Sequence, residues 1–191
     1  YCVKDFKAVG SEFGTLDDLR TLVNTAHQKE MAVMLDIVPN HTSWDNTWIS
    51  AHKNWYKQDA SGNIVSPANY NDVAQLNFNN AEMRKAMIEA LRYWVFDANI
   101  DGYRMDFADN VPFDFWKEAI TSLNSIATHK LLLIAEGTRN DHYNAGFQLK
   151  YGFRFYEGLK DVFGKSKSVT TISDINSSEY TNAKYESRVL R

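Results

Sequence analysis

The segment from Asn99 to Pro112, NIDGYRMDFADNVP, contains an arginine and a carboxylate that could carry chemistry, Arg104 and Asp106. The run IDGYRMDF has the composition of a strand. Because successive side chains of a strand alternate between its two faces, Arg104 and Asp106 lie on the same face. A neighbouring arginine keeps a carboxylate ionised, and an ionised, oriented aspartate is suited to act as a nucleophile or to stabilise positive charge.

A second carboxylate, Glu136, ends the apolar run LLLIA. Apolar surroundings raise the pKa of a carboxyl group, so Glu136 is expected to hold a proton near neutral pH. Glycosidases use one ionised and one protonated carboxyl group on opposite sides of their active-site cleft. Each pattern alone has a simpler explanation, because Arg104 and Asp106 could form a structural ion pair and Glu136 could cap the next helix.

Helical and strand-like patterns alternate along the chain, which predicts an α/β fold with parallel strands and helical connections. A doubly wound sheet and a (β/α) barrel both fit this order. Barrel enzymes carry their chemistry at the C-terminal ends of the strands. Polar side chains follow three of the predicted strands, at Asn40 and His41, at Asp106 and at Glu136.

Three helices have clear sequence signals. The first begins after Thr15, with Asp18 completing a capping box. The longest begins after Asn79 or Asn80 and has an apolar stripe along one side. A third, FYEGLKDVFG, is predicted to end at Gly164.

Composition excludes several functions. The chain has 191 residues, 44% of them hydrophobic, and a formal net charge of −3. It lacks the basic footprint of a nucleic-acid-binding protein, and no apolar run is long enough to span a membrane. A single cysteine, Cys2, allows no internal disulfide bond. The first and last segments read as the interior of a domain, which predicts a fragment.

Four segments resemble the α-amylase superfamily, glycoside hydrolase family 13. DIVPNHTS, DGYRMD and LLIAE resemble its first three signatures, and VAQLN resembles the additional motif of its inserted B domain. The resemblance implies a partial (β/α)8 TIM barrel, holding about strands 3–6 and the start of strand 7, with the B domain inserted after the third strand. Residues 1–41 and 79–191 would then belong to the barrel, truncated at both ends, and residues 42–78 to the insertion.

The resemblance also implies a role for individual residues. Asp106 matches the nucleophile that forms a covalent glycosyl-enzyme intermediate, Glu136 the general acid/base, and Arg104 the arginine that orients the nucleophile. His41 matches a histidine that hydrogen-bonds the sugar, and Tyr1 a tyrosine that stacks on it. Asp36 matches a residue that holds the site in shape, and Asn40 a ligand of a structural calcium ion. No organic cofactor is implied.

Two departures from the family pattern affect specificity and metal binding. Asp109 and Asn110 stand where many α-amylases have a Lys-His pair that contacts sugars on the leaving-group side, so we assign both to substrate binding while the exact specificity stays open. Gln75 stands where calcium-dependent relatives often have an aspartate. Calcium prefers carboxylate oxygen, so the affinity of the site should be lower here.

The resemblance implies a retaining hydrolase of α-1,4-glucosidic bonds in starch-like or maltooligosaccharide substrates. The alternatives are a transglycosylase or isomerase of the same superfamily, or a non-catalytic binding relative, which usually lacks one of the two carboxylates present here. The family's third catalytic aspartate is expected beyond Arg191, so the isolated chain should be inactive. Export to the periplasm or the medium is favoured only because enzymes that digest external glucans are exported.

Overall fold

The computed structural model describes residues 1–126, 128 and 130–190. Residue 191, the last of the predicted second barrel segment, therefore lies outside the described residues. The described strands are β1 (Met34–Ile37), β2 (His41–Ser43), β3 (Val73–Gln75), β4 (Gly102–Met105), β5 (Leu132–Ala135), β6 (Leu149–Tyr151) and β7 (Arg188–Leu190). The described α-helices are α1 (Leu16–Gln28), α2 (Thr47–Ala51), α3 (Ala81–Ala98), α4 (Phe113–Asn124), α5 (Asp141–Ala145), α6 (Phe153–Lys165) and α7 (Thr170–Glu179).

Five strands form one parallel sheet in the order β1-β4-β5-β6-β7. Helices lie between consecutive strands of this sheet along the chain, which confirms the predicted α/β class. Within the described residues, β1 and β7 each pair on one side only, so the sheet is open. None of the helices in the described part of the chain is both long enough and apolar enough to cross a membrane.

The segment predicted to be the insertion, residues 42–78, takes part in a separate small sheet, in which β2 and β3 pair antiparallel. This sheet begins at His41, one residue before the predicted start of the insertion. Aromatic side chains pack this segment together and join it to the first part of the chain: the ring centroid of Trp48 lies 5.0 Å from that of Trp55, within the segment, and 5.0 Å from that of Phe6, which precedes it. Tyr56 is buried, and its hydroxyl lies 2.9 Å from that of Thr42.

The caps predicted for the first two helices are confirmed. Thr15 and Asp18 form the capping box of α1, and the side chain of Asn80 accepts a hydrogen bond from the Met83 amide at the start of α3. The predicted end of α6 at Gly164 is wrong. The helix continues to Lys165 and ends because Ser166 adopts a left-handed backbone conformation (φ 53°).

The hydrophobic core lies between the sheet and helices α3 and α4. Side chains of β4 and β5 that face these helices are fully buried, among them Tyr103, Met105, Leu133 and Ala135. The alternate side chains, including Arg104 and Ile134, lie on the opposite face and are only half-buried. The open face of the sheet is therefore the face that carries polar side chains.

Gly102 allows β4 and β5 to pair closely. It is the register partner of Leu132, and a Cβ atom at this position would lie 1.9 Å from the Leu132 carbonyl oxygen. Any side chain at Gly102 would push these two strands apart. Since β4 leads to Asp106 and β5 leads to Glu136, this close pairing is the first requirement for bringing the two carboxylates together.

Candidate active site

Strand register places Asp106 and Glu136 side by side. Met105 is the register partner of Ala135, so the next residue on each strand is the carboxylate. The pairing continues past the strand ends, because the Glu136 amide donates to the Met105 carbonyl oxygen at 3.0 Å and the Asp106 amide donates to the Ile37 carbonyl oxygen at 2.8 Å. The two carboxylates therefore meet at the C-terminal edge of the sheet, as the sequence predicted.

Arg104 connects the carboxylates of this edge. Its Nη1 lies 2.5 Å from Asp106 Oδ1 and 3.0 Å from Asp36 Oδ1, and its Nη2 lies 2.6 Å from Glu136 Oε1. Burial alone would lower the pKa of Arg104, but hydrogen bonds to Tyr151, Asp36 and Asp106 outweigh it and raise the pKa above its ordinary value. A permanently charged guanidinium thus holds three carboxylates in a fixed arrangement.

Glu136 lies in surroundings that favour its protonated form. Burial is the main reason that its pKa is raised, and the neighbouring Asp106 raises it further. The Phe107 amide, which donates to Oε2 at 2.9 Å, and the Arg104 charge act in the opposite direction without cancelling the effect. Glu136 can therefore hold a proton at a pH where an exposed glutamate is ionised.

Phe107 is a residue of this site that the sequence did not single out. Its backbone is left-handed (φ 53°), which is uncommon for a residue with a bulky side chain. This conformation directs the Phe107 amide to Glu136 Oε2. Strained backbone of this kind concentrates at functional sites. Nothing in the local sequence indicates it, and its partner Glu136 lies 29 residues away in the chain.

Tyr151 is a second residue that the sequence did not single out. Its hydroxyl accepts a hydrogen bond from Arg104 Nε at 3.3 Å, and its ring centroid lies 5.5 Å from the guanidinium carbon. The ring of Tyr1 lies 5.8 Å from the same carbon. Tyr151 ends β6, the strand next to β5. Asp106 and Glu136 were identified as polar side chains at the C-terminal ends of predicted strands, and Tyr151 meets the same criterion.

A cavity of about 640 Å³ opens over the two carboxylates. Six of the residues singled out from the sequence line it: Tyr1, His41, Asp106, Asp109, Asn110 and Glu136. Arg104, Asp36 and Asn40 are absent from its lining. The remaining lining residues come from several elements and had not been singled out: Cys2, Tyr70, Asp72, Val73, Phe107, Gly137 and Phe153.

His41 faces this cavity as a neutral imidazole. The Asn40 side-chain amide lies 3.0 Å from Nδ1 and donates to it, which places the imidazole proton on Nε2. Burial lowers the pKa of His41, and this outweighs the nearby negative charge of Asp106, which would raise it. A neutral histidine with a fixed donor nitrogen is suited to hydrogen-bond a sugar hydroxyl.

Asp109 and Asn110 lie in the short 3-10 turn after Asp106, at the cavity wall. Both oxygens of the Asp109 carboxylate have protein partners: Oδ1 lies 2.8 Å from His142 Nε2, and Oδ2 accepts from the Thr138 amide at 2.9 Å. The Asn110 side chain is exposed. These two neighbours therefore differ in how free they are to bind a ligand.

The junction between β1 and the insertion was expected to bind calcium through Asn40. Nε2 of Gln75 lies 3.0 Å from Asn40 Oδ1 and 3.0 Å from the Asn40 carbonyl oxygen, so an amide group occupies the place between these oxygens. In the part of the chain that the structure describes, no three His, Cys, Asp or Glu side chains come together in a way that could hold a metal ion. This donor set does not fit calcium, which prefers several carboxylate and carbonyl oxygens.

Comparison with known proteins agrees with this architecture. An alpha-amylase family model, described as the alpha amylase catalytic domain, matches residues 1–72 and 50–148. An alpha-amylase of Lactobacillus plantarum superposes with a TM-score of 0.90 at 30% identity, covering 100% of this chain and 49% of that structure. The five-stranded sheet is thus part of a TIM barrel.

Two sequence relatives extend the comparison. A cyclomaltodextrin glucanotransferase of Geobacillus stearothermophilus is 30% identical over 195 residues, covering 85% of this chain and 27% of that enzyme. Alpha-amylase 3 of Dictyoglomus thermophilum is 26% identical over 190 residues, covering 85% of this chain and 36% of that enzyme. The chain therefore spans less than half the length of these relatives. Given the family match, the strand order and the carboxylate pair, the chain belongs to the alpha-amylase superfamily, glycoside hydrolase family 13, as a partial catalytic domain.

Proposed function

We propose that the whole protein carrying this chain hydrolyses α-1,4-glucosidic bonds in starch-like or maltooligosaccharide substrates and retains the anomeric configuration. The observation that supports this best is the binding of Asp106 and Glu136 by adjacent nitrogens of one guanidinium. Two carboxyl groups held by one arginine are close together, which favours the retaining over the inverting geometry. Both side chains also line the same open cavity.

The proposed reaction proceeds by double displacement. An Asp106 oxygen attacks the anomeric carbon, the glycosidic C–O bond breaks, and Glu136 transfers its proton to the leaving oxygen. Glu136, now a carboxylate, takes a proton from water, and the water oxygen attacks the anomeric carbon and displaces Asp106. The product is released with the anomeric configuration of the substrate, and both carboxyl groups return to their starting protonation states.

The cavity wall supplies candidates for substrate binding. His41 would donate its Nε2 hydrogen to a sugar hydroxyl, since Nδ1 is already an acceptor for Asn40. Tyr1, whose ring is exposed and lies over Arg104, would stack on the sugar at the cleaved bond. Asn110 would contact the leaving-group side, where its exposed amide is free to reach a ligand. Asp36 would hold Arg104 in place through the 3.0 Å contact.

Product stereochemistry tests the proposal directly. The whole protein is incubated with maltotetraose, and NMR follows the new reducing ends before they equilibrate. We expect the α-anomer to form first, and initial formation of the β-anomer would contradict the double-displacement mechanism.

The purified 191-residue chain should show no measurable hydrolysis in the same assay, because its described sheet is open at β1 and β7. Normal turnover by this chain would contradict that expectation.

Glycosyl transfer is the second candidate function. Relatives at 28–30% identity include cyclomaltodextrin glucanotransferases and, at 28%, a trehalose synthase/amylase of Mycolicibacterium smegmatis. Transfer and hydrolysis share the glycosyl-enzyme intermediate and differ in whether water or a sugar hydroxyl attacks it. Longer or cyclic products that accumulate faster than reducing ends would favour transfer.

We also propose that Gln75 replaces a cation at the junction between β1 and the insertion. Its Nε2 donates to both oxygens of Asn40, and the Leu76 carbonyl oxygen lies 3.4 Å from it. Chelators should then leave the unfolding temperature of the whole protein unchanged. Gln75→Asp should turn these donors into an acceptor site and make the unfolding temperature rise with added calcium, by about 4 °C or more at saturation.

The matched control is Gln58→Asp, which introduces the same charge at an exposed position of the insertion. It should show no response to calcium. A fall in the unfolding temperature of the unmodified protein on chelation would contradict the proposal, as would a Gln75→Asp variant that ignores calcium.

A further inference from the structure

Asp109 links the two loops that leave the active-site strands. It lies in the loop after Asp106, and its carboxylate accepts hydrogen bonds from the loop after Glu136. Oδ2 accepts from the amide and the hydroxyl of Thr138 at 2.9 and 3.1 Å. Oδ1 accepts from the Arg139 amide at 3.2 Å and lies 2.8 Å from His142 Nε2.

The connection is also made in the opposite direction. Arg139 Nη1 donates to the carbonyl oxygens of Asp109 and Val111 at 2.9 and 3.1 Å. The remaining nitrogens of Arg139 bind Asp141, at 2.9 Å from Nε and 2.7 Å from Nη2. The Ala108 amide donates to the Glu136 carbonyl oxygen at 3.0 Å. The two loops are thus joined through backbone and side chains together.

Gly137 leaves room for this contact. A Cβ atom at residue 137 would lie 2.3 Å from Asp109 Oδ1 and 2.8 Å from His142 Nε2. Real Cβ atoms do not approach other atoms this closely, so any side chain would displace the carboxylate or the imidazole. Glycine at position 137, directly after Glu136, therefore leaves the space that the Asp109 carboxylate occupies.

The Asp109 carboxylate keeps its charge in this position. Burial alone would raise its pKa, but hydrogen bonds from His142 and from the Thr138 and Arg139 amides outweigh burial and hold the pKa well below its ordinary value. Asp109 is thus ionised throughout the pH range in which Glu136 titrates. Hydrogen bonds to a charged acceptor are stronger than those between neutral groups.

We propose that Asp109 is a positioning residue that joins the loop after Asp106 to the loop after Glu136 and so fixes the two reacting carboxyl groups relative to each other. We call this group of contacts, made by Asp109 with Thr138, Arg139 and His142, the Asp109 clamp. The resemblance had assigned Asp109 to substrate binding, but both of its oxygens are occupied by protein donors. The proposal rests on the proposed function for its effect on turnover.

Asp109→Asn in the whole protein tests the clamp. An amide cannot accept from Thr138, Arg139 and His142 together, because one of its two heavy atoms is a donor. We expect kcat to fall by about 10²-fold with little change in KM, since small displacements of reacting groups cost about this much. Loss of these contacts should loosen the loop after Glu136 and let water reach its carboxyl group. Burial is the main cause of the raised pKa of Glu136, so this pKa should fall. The alkaline limb of the kcat/KM profile should then move to lower pH.

If Asp109 had a purely structural role, its loss would lower the active fraction equally at every pH and leave the alkaline limb of the kcat/KM profile in place.

The matched control is Asp101→Asn at the other end of β4. Asp101 Oδ2 also lies 2.8 Å from a histidine nitrogen, of His27, and accepts a backbone amide, of Val33, at 2.6 Å. We expect this variant to lower the unfolding temperature without moving the limb. Gly137→Ala should move the limb as Asp109→Asn does while removing no charge, which keeps the test open if Asp109→Asn fails to fold.

Hydrogen exchange separates the clamp from the proposed function. The Thr138 and Arg139 amides should exchange faster in Asp109→Asn than in the unmodified protein, whether or not the protein cleaves glucans. An inert unmodified protein with this exchange difference would reject the proposed function and keep the clamp. Unchanged exchange at both amides would overturn the clamp. In an active protein, an unmoved alkaline limb in both Asp109→Asn and Gly137→Ala would overturn it as well.

Discussion

Asp106→Asn is expected to lower glucan hydrolysis by the whole protein by about 10⁴-fold or more, a loss typical of removing a catalytic nucleophile. Asparagine has nearly the same shape as aspartate, but its amide oxygen is a weak nucleophile and carries no charge to stabilise the developing positive charge of the sugar. Arg104 keeps its contacts with Asp36 and Glu136 in this variant, so the fold should persist.

Reducing-sugar release from soluble starch measures this effect, with the unfolding temperature as a check on folding. Asp72→Asn is the matched control. Asp72 lines the same cavity, and its described hydrogen bond is from the Cys2 thiol, with no described contact to Arg104. Its loss of activity should be far smaller. An Asp106→Asn variant within about tenfold of the unmodified protein would show that another group is the nucleophile, since tenfold corresponds to only about 1.4 kcal/mol of barrier.

Glu136→Gln is expected to lower kcat/KM on maltooligosaccharides by about 10²- to 10⁴-fold, the usual contribution of general acid catalysis. Glu136 must be protonated to assist departure of the leaving oxygen. Because burial raises its pKa, the unmodified protein should stay active to a higher pH than an ordinary glutamate would allow, and activity should fall as the pH rises through that raised pKa. Glutamine does not titrate, so the variant should lack this alkaline limb.

A maltosyl fluoride substrate makes this prediction more specific. Fluoride leaves without a proton, so formation of the glycosyl-enzyme should be largely spared in Glu136→Gln. The second step still needs a base, so the intermediate should accumulate and give a burst of fluoride release. Glu118→Gln is the control, because Glu118 also pairs with an arginine, Arg84, at 2.7 Å but lies on the exposed side of α4. Equal losses on both substrates, or an alkaline limb that persists, would remove Glu136 from the role of general acid.

Local sequence was enough to identify the strands that carry Arg104, Asp106 and Glu136 and the shared face of the first two. These features depend on neighbours within a few residues, because the two-residue period of a strand and the composition of an apolar run are local properties. The same holds for the caps of α1 and α3. The end of α6 could not be predicted from local sequence. Glycine favours the end of a helix, so Gly164 predicted an earlier end than the observed one before Ser166.

The family resemblance added chemical roles to these residues, and the tertiary structure decided how they meet. The register of Met105 with Ala135 sets the two carboxylates side by side, and Tyr151 completes the surroundings of Arg104 from a strand that is weak in sequence. The left-handed backbone of Phe107 and the partners of Asp109 are also set by the tertiary structure. Contacts between residues about 30 positions apart depend on which strands pair and in what register, and a chain's local pattern does not contain that information. For this reason the sequence by itself determined which residues are candidates for chemistry, and only the folded sheet decided which of them line the cavity and which contact one another behind it.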